Sequence, residues 1–345
     1  MSDSETTHTY DAVVIGCGGW GLAALKVLRD MGLDVLGLER GEICHNLTTY
    51  MPAMTVHSPL PYVVLDPEDF LLAERGDDYH STIEELIQSY LDFAAKYDLP
   101  IQTHCTLRDI RGERGDFTLT AREKDRDAQY HCRLVILATG AYDTPNLLGI
   151  PGENDPAVHH YFAEWQHLRD QRLLFIGGGF SSADGIVAVC PHNEILWVTN
   201  KTRDAIDQIL HDQKAKWGQP DAHLFNSEIL CESQVLSLAD HRAQIQSPDG
   251  ERQWPFDQCF MLLGHRPDEA LLHAVLGDDF SHDEATFESN ARPGIYLVGA
   301  LAKKHLEHIG LTHKLCPGNE GIRHITKLID AIKNNPNIDT SLPSS

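Results

Sequence analysis

The chain has no run of about 18 to 20 apolar residues, the length that a membrane-spanning helix needs. Its start, MSDSETTHTY, has neither the basic region nor the apolar core of an export signal. Basic residues are few, since 28 Lys and Arg stand against 51 Asp and Glu, and the formal net charge is −23. Phosphate backbones and anionic membranes would repel such a chain. We therefore expect a cytoplasmic protein without nucleic-acid or membrane partners.

Paired cysteines are also missing. The eight cysteines show no CxxC motif and no zinc-type spacing, which predicts reduced thiols rather than disulfides or a metal site. They are Cys17, Cys44, Cys105, Cys132, Cys190, Cys231, Cys259 and Cys316. The length of 345 residues and an apolar content of 42% suffice for two domains with ordinary cores.

A glycine-rich turn follows the first apolar run. Residues 11–15 have strand character, GCGGWG occupies positions 16–21, and leucines at helical spacing come next. This order is the dinucleotide-binding fingerprint, in which amides at the helix N-terminus face a pyrophosphate. A second strand, 34–38, ends at an acid placed to accept the ribose hydroxyls of an adenosine. The predicted binding residues are Gly16, Gly18, Gly19, Trp20, Gly21, Glu39 and Arg40.

A second glycine turn, GGGFSSAD at 177–184, lies between a strand at 172–176 and a helix at 181–189. The next strand, 194–199, is followed by two cations and by no acid, which favours the 2′-phosphate of NADPH over NADH. The predicted binding residues are Gly177, Gly179, Ser181, Ser182, Lys201 and Arg203. Two nucleotide sites in one chain predict a redox enzyme that passes electrons between them.

The order of elements predicts an α/β fold with two Rossmann-like nucleotide-binding domains, the second inserted into the first. We place the first domain at 1–148 and 290–345 and the second at 149–289, with a hinge at the crossings. A helix with a capping box at Ser81 and Glu84 is expected in the first domain. A last helix is predicted over 320–332.

These motifs resemble the two-dinucleotide-binding-domain flavoproteins over residues 11–332. The resemblance is carried by GCGGWG with Glu39, ATG at 138–140, GGGFSSAD, LLGHRPD at 262–268 and GIYLVGA at 294–300. It implies FAD in the first domain and NAD(P)H in the second. Further cofactor-binding residues implied by these motifs are Thr139, Gly140, Gly299 and Ala300. A homodimer is compatible with the same resemblance.

The compact length is similar to the thioredoxin-reductase-like branch. HHYFAE at 159–164 and THKLCPGNE at 312–320 are most similar to bacillithiol disulfide reductases and flavin monooxygenases. Three departures stand out. The CxxC of thioredoxin reductases is missing, Trp20 stands where bacillithiol reductases place a cysteine, and Ala300 replaces an aspartate that often contacts the flavin.

Few catalytic side chains are expected, because a flavin supplies the redox chemistry itself. Cys17 and Cys316 are candidates for a mixed disulfide with substrate, and His313 is a candidate acid or base. Each of these residues could instead line the site without a catalytic role. The spacing of His305, His308 and His313 could bind a metal, but no acid or cysteine supports it, and we predict no metal.

Three functions remain open from the sequence. The first is a FAD-dependent NAD(P)H oxidoreductase acting on a small molecule, with a low-molecular-weight disulfide as one candidate. The second is a monooxygenase in which reduced flavin holds oxygen as a peroxide. The third is a nucleotide-binding sensor without turnover, which Trp20 and Ala300 keep open.

Overall fold

The structure is a computed structural model that describes residues 8–165, 167–217 and 227–302. The helices are α1 (Gly19–Asp30), α2 (Phe70–Arg75), α3 (Ile83–Lys96), α4 (Phe180–Val189), α5 (Arg203–Trp217) and α6 (Glu269–Leu276), with 3-10 helices at His45–Thr49, Leu60–Tyr62, Cys190–His192 and Gly299–Ala302. Within these ranges no helix has the length and apolarity to cross a membrane. The predicted helix at 320–332, Cys316 and the three clustered histidines lie outside the described residues.

The strands alternate with these helices along the chain. They are β1 (Thr9–Ile15), β2 (Val35–Leu38), β3 (Ile101–Gln102), β4 (Cys105–Glu113), β5 (Asp116–Glu123), β6 (Arg126–Leu137), β7 (Thr144–Pro145), β8 (Val158–His159), β9 (Arg172–Ile176), β10 (Glu194–Val198), β11 (Ser227–Leu230), β12 (Gln234–Ala239), β13 (Arg242–Ser247), β14 (Gly250–Pro255), β15 (Gln258–Met261), β16 (His265–Arg266) and β17 (Ile295–Leu297).

One compact unit contains a seven-stranded sheet of order β3-β2-β1-β6-β5-β4, with β17 also paired to β6. Strands β1, β2, β3, β6 and β17 are mutually parallel, whereas β4 and β5 run antiparallel to their neighbours. The apolar residues of β1 are buried because the strand is central, with Val13 opposite Leu36 and Val135. The parallel arrangement brings the carboxyl ends of β1, β2, β6 and β17 to one edge of the sheet.

The other compact unit has a five-stranded parallel sheet of order β11-β10-β9-β15-β8. An antiparallel sheet, β12-β13-β14, contributes to the same core, in which Leu174, Val198, Ile245 and Phe256 are buried together. A mixed sheet with a parallel central part in one unit and a parallel sheet in the other, both combined with helices, confirm the predicted α/β fold class.

The described residues divide between the units at positions that differ from the predicted boundaries. The first unit contains 8–46, 57–143 and 267–302, and the second contains 47–56 and 144–266 apart from the undescribed positions. The first compact unit resumes at residue 267, whereas the sequence predicts that the first domain resumes at 290. Which nucleotide each domain binds stays a prediction.

Packing of α6 explains the earlier return. Leu272, Val275 and Leu276 are buried in the core of the first sheet. The guanidinium of Arg292 then donates to the carbonyls of Val275 (2.8 Å) and Gly112 (3.0 Å), which ties α6 to the β4–β5 turn. These contacts join residues far apart in sequence, and no local pattern indicates them.

The capping box of α3 lies one residue later than predicted. Thr82 Oγ1 accepts from Glu85 N (3.1 Å), and the Glu85 carboxylate accepts from Thr82 N (2.9 Å). The predicted cap, Ser81, is fully buried instead. The sequence STIEE contains two overlapping capping boxes, and burial of Ser81 selects the second.

Candidate functional site

The first glycine turn joins β1 to α1 where β1 lies between β2 and β6. Gly16 N donates to the carbonyl of Leu38 (2.8 Å), and a Cβ placed on Gly21 would lie 1.8 Å from the Gly16 oxygen. A Cβ on Gly18 would meet nothing within 4 Å. The turn is therefore closed towards the sheet and open at Gly18, which is the side from which a pyrophosphate approaches in this fingerprint.

Side-chain caps are present at the N-termini of α2, α3 and α6 but absent at the two helices that follow the glycine turns. Side chains of Asp69, Thr82 and Asp268 cap α2, α3 and α6. The helices that follow the glycine turns, α1 and α4, have Gly18 and Gly179 as their N-cap residues, without a side-chain cap, and have no acid in their first turns. Their first amides thus remain available to an anion, which the helix dipole also favours.

Glu39 follows β2 and is 5% exposed. Its Oε2 accepts from Cys17 N (2.7 Å) and its Oε1 accepts from Gly41 N (3.1 Å). A carboxylate offers about four lone-pair sites, so each oxygen keeps capacity for one further donor. The two hydroxyls of a ribose could supply these two donors. The structure places Glu39 beside the glycine turn, in the arrangement that the sequence pattern predicts.

Arg40 has partners within the protein. Its guanidinium forms an ion pair with Asp143 and donates to Asn46 Oδ1 (2.6 Å). Asp143 closely follows ATG at 138–140, so the ion pair connects the loops after β2 and β6. The sequence indicated Arg40 only as the neighbour of Glu39, and it did not indicate Asn46 or Asp143.

The ATG and return-strand motifs meet the first turn at the same sheet edge. Ala138 N donates to the carbonyl of Ile15 (2.8 Å), and Val298 N donates to the carbonyl of Leu137 (3.0 Å). The Trp20 ring packs on Gly299, where an added Cβ would lie 2.7 Å from the indole. Predicted cofactor-binding residues gathered at this edge are Gly16, Gly18, Gly19, Trp20, Gly21, Glu39, Arg40, Thr139, Gly140, Gly299 and Ala300.

The second turn has the same layout between β9 and α4. Ser182, at the third fingerprint position, is fully buried and its Oγ finds no hydrogen-bond partner among the described residues. A Cβ on Gly178 would lie 2.3 Å from Thr199 Oγ1 and 2.9 Å from Lys201 Cδ. The stem of Lys201 therefore lies along the turn that contains Gly177, Gly178 and Gly179. Thr199, which directly follows β10, is a neighbour of this turn that the sequence pattern does not indicate.

The two predicted cations differ in their surroundings. Both are exposed, but Arg203 Nε donates to Asp207 Oδ1 (2.9 Å) one helical turn later. Within the described ranges Lys201 has no ion pair, and its stem contacts the turn. Of the two cations, Lys201 is the better placed for a phosphate at the end of β10.

Cys17 does not have the environment of a reactive thiol. Its side chain is fully buried, and burial together with the Glu39 charge raises its pKa well above the usual value. Catalytic cysteines need the opposite, a lowered pKa and access to substrate. Cys17 fits a small apolar core residue, and a catalytic role for it is not supported.

The other described cysteines are free, and all except Cys231 are buried. Burial raises the pKa of Cys132 to about 12 and that of Cys190 to about 11. The pKa values of Cys105, Cys231 and Cys259 are also raised, chiefly by burial. Among the described residues no group of His, Cys, Asp and Glu could hold a metal ion.

The chain is similar to known reductases over most of its length. It is 24% identical over 305 residues to the bacilliredoxin reductase Bdr of Bacillus subtilis, covering 84% of this chain and 89% of that protein. The structure resembles the bacillithiol disulfide reductase of Staphylococcus aureus, with a TM-score of 0.77 at 18% identity, covering 95% and 100% of the two chains.

A flavin-containing monooxygenase of Stenotrophomonas maltophilia is also similar in structure, with a TM-score of 0.63 at 20% identity, covering 93% and 99% of the two chains. At these identities the structural likeness shows the fold alone.

The match to a family model extends across both glycine turns. The model for pyridine nucleotide-disulphide oxidoreductases matches residues 13–299. With the relatives above, it confirms the prediction of a flavin oxidoreductase that uses a pyridine nucleotide, and it favours an enzyme over a nucleotide sensor. The chain therefore belongs to the pyridine nucleotide-disulphide oxidoreductase family.

Proposed function

We propose that the protein is a FAD-dependent NADPH oxidoreductase that acts on a small molecule, with a low-molecular-weight disulfide as the first candidate substrate. One observation carries the proposal. Each compact unit has a glycine turn followed by a helix without a side-chain cap. The next strand is followed by the buried acid Glu39 in the first unit and by the cation Lys201 in the second. FAD is assigned to the first unit and NADPH to the second.

The residues of the first unit fit FAD. The open side of Gly18 and the free amides of α1 would hold the pyrophosphate, and Glu39 would accept the adenosine ribose hydroxyls. FAD supplies the hydride and electron chemistry when bound. The protein would bind and orient FAD, and the residues at the ends of β6 and β17 lie at the same edge of the sheet.

In the second unit the free amides of α4 would hold the NADPH pyrophosphate. Lys201, exposed after β10 with its stem on Gly178, would bind the 2′-phosphate. A carboxylate at that place would repel this phosphate, and none follows β10 directly. The charge of Lys201 therefore favours NADPH over NADH.

Replacing Lys201 with Met should change coenzyme selectivity. The variant keeps an apolar stem on Gly178 but loses the charge, and a charge-assisted hydrogen bond contributes about 1.5 to 3 kcal/mol. We expect kcat/KM for NADPH to fall roughly tenfold to a hundredfold, with little change for NADH. Steady-state kinetics with both coenzymes measure this. Arg203→Met is the matched control and should have a smaller effect, because Asp207 already pairs with Arg203. An equal loss for both coenzymes would contradict the assignment.

A second candidate function is oxygen transfer to a nucleophilic nitrogen or sulfur atom. It is favoured by the described cysteines, because all of them except Cys231 are buried. Burial also raises the pKa of each thiol whose shift is resolved, whereas a mixed disulfide needs an accessible thiolate. Cys316 and His313 remain candidates in the part of the chain that the structure does not describe.

Anaerobic titration of the purified protein tests the proposal. NADPH should remove the yellow flavin absorbance at lower concentration than NADH does. Addition of bacillithiol disulfide in one sample, and of oxygen together with a test amine or sulfide in another, then separates the candidates. Rapid recovery of absorbance with production of thiol supports the disulfide reductase, and recovery with an oxygenated amine or sulfide supports the monooxygenase. A colourless protein that does not bind added FAD would overturn both.

Cellular location and assembly belong to the same proposal. The sequence supports a cytoplasmic enzyme, and the resemblance to the flavoprotein family supports a homodimer. Light scattering of the FAD-bound protein measures the oligomeric state directly.

A further inference from the structure

Trp20 contains a polar group for which the described residues provide no hydrogen-bond partner. It is the second residue of α1, its side chain is 9% exposed, and its indole Nε1 is buried without a hydrogen-bond acceptor among the described residues. An indole N–H can only donate. A buried donor without an acceptor lowers stability, so its presence calls for an explanation.

Two motifs at the sheet edge proposed to bind FAD fix the position of the Trp20 ring. Trp20 lies within the first glycine turn, and its ring packs on Gly299 at the end of the return strand. A Cβ on Gly299 would lie 2.7 Å from the ring, and the φ of +69° at this residue also favours glycine. The indole therefore lies between the first glycine turn and the end of β17. The proposed FAD site is at the same place.

The electrostatics of this position favour an oxygen-rich anion. Helix α1 has no side-chain cap, and no acid stands in its first turn. The pyrophosphate and ribityl part of FAD offers hydrogen-bond acceptors of the required kind. We propose that the Trp20 indole N–H donates a hydrogen bond to an oxygen of this segment of bound FAD. The proposal rests on the FAD site proposed above and adds a specific donor to it.

We expect two effects of Trp20→Phe, a substitution that keeps an aromatic ring and removes the N–H. In the FAD-free protein, stability should stay the same or rise, because an unsatisfied donor is removed. In the presence of FAD, the dissociation constant should rise roughly tenfold to a hundredfold, which corresponds to the loss of one hydrogen bond to a charged acceptor. A purely structural role for the N–H would instead lower the stability of the FAD-free protein.

Trp197 provides the matched control. It is also a buried tryptophan, but its Nε1 donates to the carbonyl of Gly177 (2.5 Å) in the second unit. Trp197→Phe should therefore lower the melting temperature of the FAD-free protein and leave FAD affinity within about twofold of wild type. The two variants are expected to show opposite patterns.

The experiment measures FAD affinity by fluorescence titration and the melting temperature with and without FAD, for wild type and both variants. Unchanged FAD affinity in Trp20→Phe would overturn the proposal, and so would a loss of FAD-free stability like that of Trp197→Phe. Trp20→Tyr repeats the test if the Phe variant does not fold, and failure of both to fold also overturns it. A wild-type protein that does not bind FAD would instead overturn the proposed function.

Discussion

Gly21→Ala is expected to abolish FAD binding and to lower the free energy of unfolding by about 3 kcal/mol. The added Cβ would lie 1.8 Å from the carbonyl oxygen of Gly16. That oxygen is a backbone atom, and it cannot move away without separating α1 from β1. We expect a protein that purifies without yellow colour. Chemical denaturation and FAD titration measure the two effects.

Gly18→Ala is the control from the same turn. Its Cβ would meet nothing within 4 Å, and its φ of −79° suits any residue. Stability without FAD should therefore stay within about 0.5 kcal/mol of wild type, whereas FAD affinity should fall because the methyl group enters the space open to a pyrophosphate. Normal FAD binding by Gly18→Ala would place the pyrophosphate elsewhere.

Glu39→Gln should produce the second large effect. The carboxylate accepts from Cys17 N and Gly41 N, and an amide nitrogen would turn one of these contacts into two facing donors. Loss of the charge also weakens the bonds that ribose hydroxyls would make. We expect the FAD dissociation constant to rise roughly tenfold to a hundredfold, and isothermal titration of the FAD-free protein measures it.

Glu42→Gln is the matched control for Glu39. Glu42 is an exposed acid three residues later that pairs with His104 (2.8 Å). Exposed pairs contribute little, so both stability and FAD affinity should remain close to wild type. Equal FAD affinity in the two variants would remove Glu39 from the proposed ribose contact.

The sequence predicted the nucleotide-binding elements to within a few residues because their signals are local. Strand β9 has the predicted bounds, 172–176, and the strands and helices beside both glycine turns lie where hydrophobic spacing indicated. Local signals failed where burial chose between alternatives. The capping box lies at Thr82 and not at Ser81, because Ser81 is buried. The helix at 269–276 belongs to the first unit, because its apolar residues pack in the core of that unit.

The sequence by itself determined that the chain has two strand-turn-helix units with an acid after one and cations after the other. Spacing along a short segment is enough for this, since turn geometry depends on neighbouring residues. Only the tertiary structure decided that Cys17 is buried beside Glu39, that Trp20 packs on Gly299 and that Lys201 lies along Gly178. These contacts join residues far apart in the chain, and strand order and packing bring them together.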